Sequence, residues 1–196
     1  DGIHSFFIGK NSHVKYVEKH YGSGDGKGER IMNPETVVEL GENSFMEMET
    51  VQIKGVDSTK RSTTAHLADG AKLIVTEKLM THGTQTAETS FQVDLDGLGS
   101  SANIISRSVA RDQSSQLFLS KINGNNQCAG HSECDGIIMD QARISAIPEI
   151  TANCLDAELI HEAAIGKIAG EQIIKLMTLG LSEEEAEAQI INGFLK

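Results

Sequence analysis

The stretch Asp69-Gly-Ala-Lys-Leu-Ile-Val75, a turn signal running straight into an alternating strand, decides the fold because it keeps coming back. Gly41-Glu-Asn-Ser44 precedes Phe45 to Val51, Gly97-Leu-Gly-Ser-Ser101 precedes Ala102 to Val109, and Asp140-Gln141 precedes Ala142 to Ile150. Turn signals thus recur at intervals of roughly thirty residues, a period typical of stacked repeats. Further breaks fall at Asp112-Gln-Ser-Ser115 and Asn123-Gly-Asn-Asn126. Within the strands Ala71, Leu73 and Val75 oppose Lys72, Ile74 and Thr76, and Ala142, Ile144 and Ala146 oppose Arg143, Ser145 and Ile147. That is the period-two pattern of a strand with one buried face. Two architectures satisfy it: an antiparallel sandwich, or a β-solenoid whose turns cannot bury their own inner face and must stack on one another. Small inward residues and polar turns at repeating intervals favour the solenoid.

Toward the N-terminus, Ile3 to Ile8 and Val14 to Val17 are apolar runs broken by Gly9-Lys-Asn-Ser12. Tyr21 to Glu29 carries glycine at 22, 24, 26 and 28. A phosphate-binding loop needs Gly-Lys-Ser/Thr entering a helix, whereas Lys27 is followed by Gly28 and Glu29, so a flexible tip is expected. Toward the C-terminus the period changes from strand to helix after Gly170. Ile173, Ile174, Leu176 and Met177 share a helical face, and Gly180 is placed to end that helix. Ser182 stands three residues before Glu185, the capping-box spacing, and Glu183 to Glu185 complement the helix dipole. Ala186, Ile190 and Phe194 then form a buried stripe. The expectation is a mainly β protein, with a β-helix core over 1–166 and a helical subdomain over 167–196.

Composition excludes several functions. The chain has 196 residues, 39% of them hydrophobic, with 17 basic and 28 acidic side chains and a net charge of -11. Nucleic acid and anionic membranes are poor partners for such a surface. No run is apolar enough to cross a bilayer. The three cysteines are an odd number and make no disulfide framework, which points to a reducing cytoplasm. The chain opens at Asp1 without a signal peptide, so an upstream segment is expected to have been removed or omitted.

Several places could carry chemistry. Cys128-Ala-Gly-His131-Ser-Glu-Cys134 offers two thiols and an imidazole, ligands for zinc, iron or an iron-sulfur cluster. On a straight strand Cys128 and Cys134 share a face and His131 points the other way, so the three converge only if Gly130 bends the chain. His161 falls on the face of Ala157 and Leu159, and Glu162 on that of Glu158 and Ile160. Cys154 reads as a small apolar residue near a corner, and His82-Gly83 as a turn. Asp94 and Asp96 could act as paired carboxylates in a polysaccharide-active solenoid. Residues two apart are too close to flank a sugar bond, however, and 4% aromatics leaves little for a sugar to stack on. Neither a Ser-His-Asp arrangement nor a nucleophile elbow is present.

Ala146-Ile-Pro148-Glu-Ile150, His161-Glu-Ala-Ala-Ile-Gly-Lys167-Ile168, Gln172, Leu176, Gly180-Leu-Ser-Glu-Glu-Glu-Ala186 and Gly193-Phe194 together resemble the C-terminal core of the SufB/SufD family, scaffold proteins of iron-sulfur cluster assembly. Glu133-Cys134-Asp135-Gly136 and Leu117-Phe-Leu-Ser120 extend the likeness upstream. The resemblance implies a β-helix ending in a small helical unit, and a dimer formed through the β-helix, either with itself or with a SufB/SufD paralogue. It also implies a cytoplasmic ABC-type ATPase of the SufC kind docked on the helices, and a protein that is not itself an enzyme.

The implied cofactor is a transient iron-sulfur cluster, for which the resemblance points to His161 and Glu162; Cys134, about one solenoid turn before them, is the leading thiol on spacing, with Cys128, His131 and Cys154 behind. The implied ATPase-docking residues are Ile173, Leu176, Met177, Ile190 and Phe194. The family pattern also has a cysteine shortly before the Ile-Pro segment; that place falls near Ala142 or Arg143, which carry no thiol. A metal-free, SufD-like partner of the ATPase is therefore the alternative reading.

Overall fold

The computed structural model describes residues 2–22 and 28–196; the glycine-rich tip expected around Lys27 lies outside the described residues at 23–27. Thirteen strands precede two helices among the described residues. The strands are β1 (Gly2–Ile8), β2 (His13–Tyr21), β3 (Ile31–Met32), β4 (Pro34–Leu40), β5 (Phe45–Lys54), β6 (Ser58–Leu67) and β7 (Lys72–Thr81). They continue as β8 (Thr86–Leu95), β9 (Ser100–Ala110), β10 (Ser115–Gly124), β11 (Cys128–Ile138), β12 (Arg143–Ala152) and β13 (Ala157–Gly166). The helices are α1 (Gly170–Met177) and α2 (Glu183–Phe194).

Strands alternate between two sheets. One has the order β1-β4-β6-β8-β10-β12, with β3 on β6, and the other β13-β11-β9-β7-β5-β2. Parallel neighbours need a crossover between them, and here the strand in the opposite sheet supplies it. Leu73, Ala102, Gly130 and Leu159 stack in register, 28 or 29 residues apart. The parallel pairing decides for the solenoid, of six two-strand turns, and against an antiparallel sandwich.

Tight corners make this possible. At one corner Asn11, Asn43, Gly70 and Gly99 have φ of 56°, 54°, 64° and 70°, the left-handed region that Gly and Asn enter most readily. Each turns its N–H to a carbonyl of the following turn: Asn11 to Glu42 at 2.9 Å, Asn43 to Asp69 at 2.8 Å, Gly70 to Leu98 at 2.9 Å and Gly99 to Gln127 at 2.7 Å. The Asp-Gly and Gly-Glu-Asn signals of the sequence are thus the devices that pass one turn to the next. Gly97 is required for a different reason: a Cβ there would lie 2.0 Å from the carbonyl carbon of Ala68.

Between the sheets runs one apolar core, including Met46, Leu67, Leu73, Phe91, Leu95, Ile104, Phe118 and Ile122. A polar patch interrupts it. Arg61 and Glu77 are 2% and 1% exposed, with Arg61 Nη1 3.5 Å from Glu77 Oε1. Glu77 Oε2 accepts from Ser106 Oγ at 2.9 Å and Thr89 Oγ1 at 3.2 Å. Burial pushes the Glu77 carboxyl up, while Arg61 and the two hydroxyls pull it back down.

The helices follow the sequence signals closely. Gly180 has φ 96°, and Ser182 and Glu185 form a complete capping box at the start of α2. Among the described residues no helix is long and apolar enough to cross a membrane.

Candidate functional site

Strand β11 separates its chemistry onto two faces. Cys128, Gly130, Ser132, Cys134 and Gly136 point inward, and Ala129, His131, Glu133 and Asp135 outward, as the burial alternation shows. Gly130 does not bend the strand to gather Cys128, His131 and Cys134. It stays in register with Ala102 and Leu159, and its missing Cβ leaves room for Ile122 and Leu159, which would otherwise stand 2.8 Å away. The three residues therefore form no common site.

Cys134 occupies an interior row. It is in register with Ser106, which is in register with Glu77, so the thiol, hydroxyl and carboxylate belong to successive turns of one inner face. Cys134 is 1% exposed. Burial first, then the charges of Glu77 and Asp135, push its thiol up to about 12. Burial also raises the Cys128 thiol. All three cysteines are free, and Cys154 is half-buried at the corner between β12 and β13.

Strand β13 makes the same division one turn later. His161 pairs in register with Ser132, and Glu162 with Glu133. His161 thus follows Ala157 and Leu159 inward, and Glu162 lies on the outer face. The grouping of Cys134, His161 and Glu162 is divided accordingly: Cys134 and His161 face the interior two register places apart, and Glu162 projects away from both. Period-two alternation alone imposes this. His161 Nδ1 is buried and has no protein partner.

The outer face assembles a group that spacing within one segment does not reveal. His131 Nε2 lies 3.8 Å from Glu162 Oε2, and His131, Glu133 and Glu162 bring one ligand atom each to within 4.8 Å of one another. His131 Nδ1 is 2.9 Å from Asn103 Oδ1 on β9. The readable signal was Glu133 standing one turn before Glu162, which needs the register to be known. A groove of about 780 Å³ crosses the same outer face and is lined by Phe45, Ile74, Asn103, His131 and Ile160 among others.

The residues expected to dock an ATPase differ in exposure along the hairpin. Ile173, Leu176, Ile190 and Phe194 are half-buried and Met177 is exposed. Phe194 shares a cavity with Gly136 and Ile165, and Ile173 one with Ile138 and Met139, so both face the chain's own β-core. Ala186 and Ile191 are the fully buried residues of α2, and Ile190 and Phe194 of the expected stripe are half-buried beside them. The exposed apolar residues are Ile174, Met177 and Leu179, at 63%, 43% and 76%. Asp94 and Asp96 belong to a ladder between turns: Asn123 and Gln92 donate to Asp94, and Asn125 donates to Asp96 at 2.7 Å.

Comparison with known proteins adds an independent line. The family model described as SUF system FeS cluster assembly, SufBD core domain, matches residues 1–194. An iron-sulfur cluster assembly SufBD family protein of Archaeoglobus fulgidus is 31% identical over 196 residues, covering 100% of this chain and 52% of its own length. One of Methanothermobacter thermautotrophicus is 29% identical over 198 residues, covering 99% of this chain and 47% of its own. One of Pyrococcus horikoshii is 29% identical over 197 residues, covering 100% and 59%. The chain spans about half the length of these relatives.

Proposed function

Because the chain belongs to the SufBD core family of the SUF iron-sulfur cluster assembly system, we propose that it is a scaffold component of that machinery. In this reading it hydrolyses nothing itself. It works in the cytoplasm with an ABC-type ATPase of the SufC kind, pairs with a second copy or a paralogue, and holds a nascent iron-sulfur cluster as cargo. The observation that carries the reading is the interior placement of Cys134 and His161 on the last two turns of the solenoid.

A thiol and an imidazole there, on the two turns that precede the helices, are soft and borderline ligands. Two protein ligands hold a cluster less firmly than four thiolates, which suits transfer. Cys134 is closed off in the isolated chain, so assembly requires the β12–β13 turn to move, and an ATPase docked on the adjoining helices is placed to move it. Glu162 takes no part in this interior pair.

The second reading, a metal-free partner of the ATPase, draws on the same burial and on the raised Cys134 thiol. Anaerobic co-purification with a cognate ABC ATPase, followed by iron and sulfide analysis and a visible spectrum, separates the two. The scaffold reading expects stoichiometric iron and sulfide in the wild type and their loss in Cys134→Ser. A stable complex without iron or sulfide after reconstitution overturns it in favour of the metal-free partner.

A further inference from the structure

The outer face of β11 and β13 carries a second constellation, on the opposite side of the strand from Cys134. We propose that His131, Glu133 and Glu162 form a binding site for a divalent transition-metal cation.

The argument starts from the register. Glu133 and Glu162 stand directly beside one another in the parallel ladder, and like charges so placed repel. Among the described residues neither carboxylate has a Lys or Arg within salt-bridge distance; Glu162 has only His131, at 3.8 Å. The one nearby guanidinium, Arg107, is in register with Asp135 rather than with either glutamate. The site therefore concentrates negative charge that a cation would relieve.

His131 is held in place from the side of its other ring nitrogen. Asn103 Oδ1 is 2.9 Å from Nδ1; an Nδ1–H donating there would leave Nε2, 3.8 Å from Glu162 Oε2, as the ligand atom. Fixing a histidine by a hydrogen bond to its other nitrogen is the usual outer-shell arrangement of a metal site. The three donor atoms lie within 4.8 Å of one another. Donors bound to one ion are about 3 Å apart at bond lengths near 2.1 Å, a closure that Glu162 can make because its side chain is 67% exposed.

One nitrogen and two oxygens favour iron(II), manganese(II), cobalt(II) or zinc(II) over calcium or magnesium, because imidazole is a poor ligand for hard cations. Three donors leave coordination places open, so the ion exchanges readily. That this ion is the iron supplied to a cluster rests on the reading under Proposed function; the cation site itself does not.

Titration of the purified chain with cobalt(II) under anaerobic conditions, followed by visible absorption and calorimetry, tests it without the ATPase. One cobalt per chain is expected, with a weak ligand-field spectrum free of sulfur-to-metal charge transfer, and with Cys134→Ser binding as the wild type does. His131→Ala, Glu133→Gln and Glu162→Gln should each weaken binding by at least about tenfold, and Asn103→Ala by roughly tenfold through the lost orientation of His131. Circular dichroism accompanies each variant, and the isosteric glutamines on the outer face keep the comparison interpretable. Absence of saturable binding, wild-type affinity in both Glu133→Gln and Glu162→Gln, or loss of binding in Cys134→Ser alone overturns the site. Intact cobalt binding together with a cluster-free ATPase complex would leave the cation site standing and remove only the scaffold reading.

Discussion

At the scale of the residue, Cys134 is governed by what surrounds it. With its thiol pushed up to about 12 by burial and by Glu77 and Asp135, on the order of one molecule in ten thousand carries the thiolate at pH 8. Iodoacetamide at pH 8 should therefore label Cys154, which is half-buried, while leaving Cys134 unmodified until denaturant is added; peptide mass spectrometry reads the difference. Rapid native labelling of Cys134 would show that the last turn opens without help. The sign of the linkage follows from the same shift. The folded protein favours the neutral thiol, so this stabilisation is complete below the ordinary value of 9.0 and is lost as pH rises from there toward about 12.

Much at this scale was legible: the inward places of Cys128, Cys134 and His161 and the outward ones of His131 and Glu162 follow from alternation. Arg61 and Glu77 were missed, although Thr59, Arg61, Thr63, Ala65 and Leu67 alternate inward and a charge in that series was the signal. Their pairing joins opposite sheets, which no spacing along one strand encodes.

At the scale of the element, the hairpin shows how a helical period fixes a face but not its neighbour. Ile173, Leu176, Ile190 and Phe194 are all half-buried, and of these Ile173 and Phe194 turn toward the β-core. The hairpin's exposed apolar residues are Ile174, Met177 and Leu179, the surface on which the docking proposal then rests. Ile174→Asp and Leu179→Asp should reduce capture of the ATPase by tenfold or more with helix content unchanged. Phe194→Asp should instead loosen the hairpin itself, visible as faster amide exchange in α2. Full ATPase capture by Ile174→Asp would remove this surface from the docking proposal. Corner chemistry was the more readable element. Asp-Gly and Gly-Glu-Asn announced left-handed positions, and the N–H of each such residue reaches the following turn because the turns are stacked.

At the scale of the whole molecule, a solenoid is close to one-dimensional: each turn is stabilised by its two neighbours, and a terminal turn by one. Hydrogen exchange should find the amides of β7 to β10 most protected and those of β1, β12 and β13 least, a gradient along the axis rather than a uniform core. Equal protection from end to end would indicate that a partner copy caps the exposed strands. The last turn is also where Pro148 sits, within edge strand β12, a place that tolerates the loss of a ladder donor.

The sequence by itself determined the repeat, the inward and outward sets of each strand, the left-handed corners and the capped second helix, because all of these follow from interactions within a few residues. Tertiary structure alone decided the register between turns and the packing of the hairpin on the core. Register places Glu133 beside Glu162 and His131 beside Asn103, and lines up Glu77, Ser106 and Cys134. These depend on corner lengths summed over a full turn, where a shift of one residue exchanges the faces of an entire strand.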